Sequence, residues 1–434
     1  MMTSAPRIFL QNRFHLAVML LVIVTTVFSW FNVNSWSIML LVLCRLLSGD
    51  PRISVKTAFR NGLFLAFLLF VLIESAGFLH THHFREQANL VSKDATLVAI
   101  AYVCCSGGFA DPGSWKRLMT GYYIIIVAAV LYCLAVAFRN YLATGDTSVF
   151  FYHSLTRPIS QNAILFSVYV CFALLFALSP DAGPAPGLRA PRQLIRGLLA
   201  GFYLGALVLL DSKLLLVISL LIVLQALFRK FSFRANRLPL LVAGLALLAG
   251  VFLLALTDNP VSRRYRELAA GDLGVVRQER FNPGMYFNAV QLRLLEWRFA
   301  GEILAARNAW VFGVSPGDSQ ALLDNKYEAT RMYIGNPADG PDRKDRGFIG
   351  YNFHDQFLET TVRDGIVGLL SLLFIFGLLI RQAARNGTAE SVFVVATLLL
   401  LFIPESPLTM QHGIFLFCFF PLLLPYARKI PARG

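Results

Sequence analysis

The polar residues of this sequence that could do chemistry lie between long apolar blocks. Arg293 and Lys213 supply cations, His354 supplies an imidazole, and Ser212 supplies a hydroxyl. Guanidinium and ammonium groups bind anions, and an imidazole with an ordinary pKa of about 6.5 is mostly neutral at neutral pH and can accept a proton. Such groups can act together only if the apolar blocks bring them to one place.

The composition excludes an ordinary soluble domain. The chain has 434 residues, of which 56% are hydrophobic and 15% are charged, and its mean hydropathy is +0.61. Soluble domains carry about 25% charged residues. The apolar residues here fall in repeated blocks of about 15–20 residues, the length that crosses the core of a bilayer. The sequence therefore predicts an all-α, polytopic integral membrane protein.

Twelve apolar blocks are predicted to be membrane spans. They are residues 14–29, 31–46, 62–79, 95–110, 119–138, 161–179, 197–211, 214–228, 238–256, 364–380, 388–403 and 414–427. The chain is thus divided into 1–256 with the first nine spans, 257–363 as a large periplasmic loop, and 364–434 with the last three spans and a cytoplasmic tail. Within the loop, the apolar spacing predicts a helix over about 289–307, followed by a breaker-rich turn at 312–318.

The distribution of Lys and Arg predicts the orientation. Of the 39 such residues, 20 fall in segments on the side of the termini, 5 in short loops on the other side, and 14 in residues 257–363. Because Lys and Arg in short loops mark the cytoplasmic side, both termini are predicted inside and the long loop outside. That loop also carries 14 acidic residues. The net charge of +14 therefore comes largely from cytoplasmic turns and does not support a nucleic-acid partner.

Neither the cysteines nor a group of three histidines forms a convincing metal or disulfide pattern. The six cysteines all lie in or beside apolar blocks: Cys44, Cys104, Cys105, Cys133, Cys171 and Cys418. No disulfide framework is predicted, and no spacing resembles a zinc site. His80, His82 and His83 have only Glu86 as a nearby partner, which favours solvated loop histidines over a metal site.

With this topology, residues far apart in the chain meet at the outer surface. His354 lies in the run 353–359 that leads into the tenth span, Lys213 lies at the turn between the seventh and eighth spans, and His153 and Arg157 precede the sixth. The pattern therefore predicts cations, an imidazole and hydroxyl groups on one face of the membrane.

Several short motifs resemble the outer-loop signature of the O-antigen ligase and O-antigen polymerase superfamily, bacterial membrane proteins that transfer glycans from an undecaprenyl-diphosphate carrier. The motifs are RLLEW at 293–297, GVSPGD at 313–318, His354 with FLE at 357–359, and GIVG at 365–368, together with QNA at 161–163 and Glu405. The resemblance runs over roughly residues 150–420. The chain has Ser212-Lys213 where members often have a small residue followed by arginine, and Asp355 where they often have asparagine after the histidine.

The resemblance implies an O-antigen ligase that moves a glycan from undecaprenyl diphosphate to a sugar of the lipid A core. The transfer would occur on the periplasmic face of the bacterial inner membrane, among membrane lipids, with inversion of the anomeric centre and without a metal or cofactor. Catalytic roles fall to His354 and Arg293, and binding of the diphosphate to Lys213 and Arg293. From its position on the same outer face, Arg157 is predicted as a further ligand of the diphosphate, and Ser212, His153, Asp355, Glu405 and His412 are predicted to contact the acceptor or the residues that touch it. His354 would act either as the base for the acceptor hydroxyl or as a hydrogen-bond donor to the diphosphate.

Other interpretations stay open at this point. A polymerase that joins lipid-linked repeat units would use the same donor and much the same site, and a polar-lipid transporter or flippase would also need many spans. Purely structural roles also fit the residues. His354 could cap the tenth helix, Arg293 could be a surface residue or reach lipid headgroups, and Lys213 could anchor a turn. Glu74 in the third span would pair with a neighbouring helix.

Overall fold

The structure is a computed structural model that describes residues 9–179, 192–230, 272–336 and 345–427. All regular secondary structure in these residues is helical, and they contain no strand. The predicted all-α class is therefore confirmed. The predicted ninth span at 238–256 lies outside the described residues.

The helices follow one another through short turns. They are α1 (Arg13–Val27), α2 (Phe31–Leu47), α3 (Pro51–Phe59), α4 (Gly62–Ala76), α5 (Phe84–Cys105), α6 (Pro112–Thr144), α7 (Tyr152–Thr156), α8 (Ala163–Leu178), α9 (Arg192–Leu210), α10 (Lys213–Lys230), α11 (Ala289–Ala306), α12 (Pro316–Ala329), α13 (Gln356–Asn386), α14 (Ala389–Leu401) and α15 (Gln411–Ala427). Asn12, Asn61 and Asn162 each cap a helix by accepting a backbone N–H of its first turn. Such caps satisfy N–H groups that a helix start leaves without a partner.

Several helices are suited to cross a membrane. In the described residues, four are long and apolar enough, namely Gly62–Leu79, Phe84–Cys105, Gly113–Thr144 and Gln356–Asn386. A fifth is added if Tyr152–Ile159 and Ala163–Leu178, which bend by 82° at a short break, form one broken span. Shorter apolar helices are Arg13–Val27, Phe31–Leu47, Leu194–Leu210, Ala389–Leu401 and Gln411–Pro425. These helices fit a helical membrane protein, whereas the count of twelve spans stays a prediction.

α5 shows why apolar blocks alone misplace a helix start. The predicted span at 95–110 overlaps α5, which begins eleven residues earlier, at Phe84, and ends five residues earlier, at Cys105. The polar residue Gln87 is buried there because its amide donates to the carbonyl of Glu74 at 2.7 Å and accepts the N–H of Gly317 at 2.8 Å. A polar side chain that is satisfied by neighbouring elements does not end a helix.

α13 is one helix with a break. The predicted tenth span, 364–380, falls mainly in its second part, residues 366–386. Gly365 separates this from the first part, residues 356–364, with φ 66° and ψ −162°, a conformation that is open essentially only to glycine. The helix therefore begins well before the apolar block, with polar residues that pack against the segment preceding it.

α12 begins where the sequence pattern predicts only a turn. The Oγ of Ser315 accepts the N–H of Asp318 at 3.2 Å, and Pro316 occupies the first turn of the helix. Proline at this position favours a helix start because its missing N–H would have had no helical partner. The residue types that signal a turn at 312–318 therefore also begin α12.

The buried apolar side chains form two clusters. The larger one lies among the apolar helices, and there the rings of Phe376, Phe402 and Phe417 contact one another. The smaller one, with Phe299 and Tyr327 at its centre, packs α11 and α12 against each other and against the first part of α13. This second core positions the described polar residues of 272–336 and 345–355 beside the start of α13.

Candidate functional site

Arg293 and Glu296 lie about one turn apart on α11. Asn288 and Gln291 form a reciprocal capping box that starts this helix at Ala289. The helix extends to Ala306, so the helix predicted over 289–307 is confirmed. Residues three apart lie on the same side of a helix, and one side of α11 therefore presents a guanidinium and a carboxylate together.

His354 lies in a strained turn directly before α13. Its φ is 45°, a left-handed conformation that costs a residue with a Cβ about 1–2 kcal/mol. Its N–H donates to Oδ1 of Asn352 at 3.0 Å. The cap of α13 is Asp355, whose side chain accepts the N–H of Leu358 at 3.0 Å. The interpretation of His354 as the helix cap is therefore wrong, because its neighbour has that role.

The imidazole of His354 is bound to the carboxylate of Glu296. Nδ1 lies 3.0 and 3.1 Å from the two carboxylate oxygens, and the hydroxyl of Tyr327 donates to Oε1 at 3.2 Å. The Glu296 side chain is 0% exposed and that of His354 is 26% exposed. An acceptor at Nδ1 favours the tautomer with its proton there, which leaves Nε2 as the nitrogen that can exchange a proton with a substrate.

The surroundings of this pair change its pKa values. Burial by itself would lower the pKa of His354, but the hydrogen bond and charge of Glu296 and the charge of Glu405 raise it above its ordinary value. Burial raises the pKa of Glu296, although hydrogen bonds from His354 and Tyr327 oppose this. The site therefore favours a charged imidazolium more than water does, which is useful for a group that must accept a proton.

Arg293 joins α11 to the turn between α14 and α15. Its Nε and Nη2 donate to the carbonyl of Pro404 at 3.0 and 2.8 Å, and Nη1 donates to the carbonyl of Ala289 at 3.0 Å. Nη2 also lies 3.1 Å from Oε1 of Glu405. These contacts fix the guanidinium to the protein, so Arg293 is not a free surface side chain, whereas its contact with lipid headgroups stays untested.

The turn that binds Arg293 is also attached to the start of α13. The N–H of Gln356 donates to the carbonyls of Phe402 and Glu405 at 2.8 and 3.1 Å, and its side-chain Oε1 accepts the N–H of Leu408 at 2.7 Å. Burial raises the pKa of Glu405, although the charges of His354 and Arg293 oppose this. Glu405 therefore belongs to the same group of charges as the two residues on which the sequence prediction depends.

Three residues of this group have no role in the sequence prediction. Glu296 stands in the same motif as Arg293, three residues later, and that helical spacing is the signal that could have identified it. Tyr327 and Gln356 carry no comparable signal, because their contacts depend on how α12 and the turn after α14 pack.

Two predicted residues, Ser212 and Lys213, lie at the turn between α9 and α10. Ser212 is buried and Lys213 is the first residue of α10. This helix packs against α8 and α14. Among the described residues, no hydrogen bond or ion pair joins Ser212 or Lys213 to Arg293 or His354. Binding of a diphosphate by Lys213 therefore stays a prediction.

The other predicted residues lie on α7, on the turn after it and on α15. Arg157 is exposed, and Nδ1 of His153 accepts the N–H of Ala163 at 3.3 Å. His412 is buried in α15, with its ring 6.1 Å from that of Phe31. No contact between described residues joins Arg157, His153 or His412 to Arg293 or His354, and the implied roles of these three stay predictions.

The turn before α5 contacts α12 through one of its histidines. Nδ1 of His83 lies 2.7 Å from Oδ1 of Asp318, which also accepts the N–H groups of His82 and His83 and the hydroxyl of Thr81. All three histidines are exposed, as predicted for solvated loop residues, and His83 in addition pairs with Asp318 while its side chain stays 51% exposed. Elsewhere in the described ranges as well, no three His, Cys, Asp or Glu residues are grouped so that they could hold a metal ion.

No protein-family model matches this chain, and no curated protein sequence matches it. Its relation to the O-antigen ligase superfamily therefore stays a prediction from the short motifs.

Proposed function

We propose that the protein is a membrane glycan transferase of the O-antigen ligase type, and that His354, Glu296, Arg293 and Glu405 form its reaction centre. The observation that carries the proposal is the His354–Glu296 hydrogen bond beside the Arg293–Glu405 ion pair, next to the ends of apolar helices. Transfer of a sugar from a lipid diphosphate requires a proton acceptor and a cation for the leaving group, and this site has both. The choice of substrate comes from the motif resemblance.

In the proposed reaction, a hydroxyl oxygen of the lipid A core attacks the anomeric carbon of a glycan linked to undecaprenyl diphosphate. The glycosidic C–O bond forms as the bond from the anomeric carbon to the phosphate oxygen breaks, and undecaprenyl diphosphate leaves with the electron pair. The hydroxyl proton passes to Nε2 of His354. Glu296 holds the Nδ1 proton and stabilises the imidazolium that results. A single displacement of this kind inverts the anomeric centre.

Arg293 is the proposed ligand of the diphosphate. Negative charge grows on the leaving group during the reaction, and a fixed cation stabilises that charge more in the transition state than in the ground state. Three of the hydrogen bonds of Arg293 go to backbone carbonyls and fix the guanidinium, and its charged partner is Glu405. An incoming diphosphate would compete with Glu405 for this cation. Lys213 and Arg157 are proposed as further cations for the same group.

The proposed setting is the bacterial inner membrane, with both termini cytoplasmic and the reaction centre on the periplasmic face. Segments on the side of the termini hold 20 Lys and Arg residues and the short loops on the other side hold 5, which supports this orientation. The four residues of the proposed reaction centre, at positions 293, 296, 354 and 405, all lie outside the apolar helices. A diphosphate headgroup at the membrane surface could reach it from the bilayer.

A transporter is the second candidate function, because one observation favours it. Glu74 and Asp94 are buried within two candidate spans, and Arg363 and Asp364 are buried beside the break of a third. The carboxyl groups interact with one another and with Arg363, so Glu74 does interact with a neighbouring helix as predicted. Buried ionisable residues in membrane helices often mark the path of an ion or a substrate.

An assay with purified full-length protein in phospholipid vesicles separates the two functions. The vesicles contain undecaprenyl-diphosphate-linked glycan and lipid A core, and the readout is the new glycosidic product. A transferase forms product, and His354→Ala abolishes it while the protein stays folded in the membrane. Movement of the lipid-linked glycan across the bilayer without a new glycosidic bond would favour the transporter, and undiminished product with His354→Ala would remove His354 from the reaction centre.

A further inference from the structure

The break in α13 is covered by a short turn, residues 310–315. The N–H of Ile366 donates to the carbonyl of Trp310 at 2.9 Å, and the N–H of Val367 lies 3.3 Å from the carbonyl of Val311. On the other side of the break, Val314 donates to the carbonyl of Val362 at 2.9 Å. The turn thus supplies acceptors to N–H groups that the start of the second part of α13 would otherwise leave without partners.

Two glycines allow this contact between backbones. Gly313 has φ 71° and Gly365 has φ 66°. A Cβ added to Gly313 would overlap the carbonyl of Arg363, and one added to Gly365 would overlap that of Val311. The turn and the break therefore touch directly, and the position of the turn along α13 is fixed.

The turn presents three large apolar side chains to its surroundings. Trp310 is 53% exposed, Val311 is 50% exposed and Phe312 is 70% exposed. The second part of α13 continues this surface with exposed apolar residues: Ile366, Leu370, Leu373 and Phe374. Because the second part of α13 belongs to a candidate membrane span, its exposed apolar face is the face that lipid would cover.

We propose that Trp310, Val311 and Phe312 insert into the headgroup region of the same bilayer that the second part of α13 crosses. The occupant of this surface is lipid, because the three side chains are continuous with the lipid-facing side of the helix and lie where the helix begins. Tryptophan and other aromatic residues are enriched at this depth. The proposal depends on α13 crossing a membrane, and it does not depend on the transferase activity.

The insertion would also set the height of the candidate site. The first part of α13 runs from the break to His354 over nine helical residues, a length of about 13 Å. Gly313 and Gly365 let the backbone of the turn contact the backbone of this helix. The depth at which Phe312 enters the bilayer and the direction of the first part of α13 would together set how far His354 lies from the lipid headgroups.

The proposal is tested by a nitroxide spin label on Phe312→Cys in the full-length protein. Glu328→Cys is the matched control, because Glu328 is an exposed charged residue of α12. The native cysteines of the described residues are all buried, and the unsubstituted protein measures their background labelling. The protein is reconstituted in vesicles of phosphatidylethanolamine and phosphatidylglycerol, and the label's accessibility to oxygen and to a water-soluble nickel complex is measured.

A label at position 312 should be several-fold more accessible to oxygen than to the nickel complex, relative to the label at position 328. Trp310→Cys should give the same result as Phe312→Cys, and agreement between the two shows that the result does not come from a local effect of one substitution. If both positions are as open to the nickel complex as position 328, the turn faces water and the proposal is wrong. If both are closed to oxygen and nickel alike, or show coupling between labels, a protein surface or a second copy covers the turn and the proposal is equally wrong.

Discussion

The Nδ1 atom of His354 lies 3.0 Å from Oε1 of Glu296, and the two residues differ sharply in exposure, at 26% and 0%. A substrate therefore cannot contact the carboxylate, but it can contact the exposed edge of the imidazole. A buried carboxylate that binds the far nitrogen of an exposed imidazole can set its orientation and basicity without touching the reactants. In the proposed reaction, Glu296 is thus a positioning residue for His354.

Glu296→Gln should reduce the transfer rate by about 100-fold, since a neutral amide stabilises the imidazolium less than a carboxylate does. Initial rates of glycan transfer in vesicles give the measurement. The matched control is Glu302→Gln on the same helix, whose carboxylate is 40% exposed and pairs with Arg298 and Lys326. An equal loss in both variants would mean that Glu296 has no special relation to the reaction.

The transfer rate should rise with pH as His354 loses its proton, because only the neutral imidazole can accept the hydroxyl proton. Burial alone lowers the pKa of His354, but Glu296 and Glu405 raise it, so the midpoint of this rise should lie above the ordinary value of about 6.5. Glu296→Gln removes the main raising influence and should move the midpoint to lower pH. A rate that falls over this range would instead assign His354 the role of a protonated donor to the diphosphate.

Arg293→Ala should abolish transfer and lower the free energy of unfolding by about 2 kcal/mol, because the hydrogen bonds to Pro404 and the charged partner of Glu405 are lost. Adding Glu405→Gln to this variant should recover part of the stability, since it removes a buried charge without a partner. Thermal unfolding in detergent measures stability, and the vesicle assay measures transfer. If the double variant recovers transfer together with stability, Arg293 has only a structural role.

The residues whose function was predicted from the sequence come together only in part. The apolar periodicity around Arg293 predicted α11 correctly, because helix periodicity is a local property of the sequence. The cap at Asn288, which starts this helix, is local as well. Its contact with Glu405 depends on packing between elements more than a hundred residues apart, which no local pattern contains. The resemblance to a known family singled out both residues, but it did not predict that they pair.

The break in α13 shows a second limit of the sequence patterns. Gly365 lies at the edge of an apolar block, and it fits a loop-to-span boundary as well as it fits a break within a helix. The helix continues before Gly365 because the 310–315 turn supplies hydrogen-bond partners on both sides of the break. Tertiary partners of this kind decide whether a polar segment such as 356–364 is helical.

Gly365→Ala should be among the most disruptive single changes in α13. The new Cβ would require φ near 66° in a residue that avoids it and would overlap the carbonyl of Val311, which together should cost about 3 kcal/mol or more. Gly377→Ala is the matched control, because that glycine is helical with open space around its Cα, and alanine there should stabilise the helix by about 0.5–1 kcal/mol. Thermal unfolding of both variants gives the comparison. Since the first part of α13 connects this break to His354, Gly365→Ala should also reduce transfer more than its loss of folded protein explains. Equal behaviour of the two variants would show that the break does not require glycine.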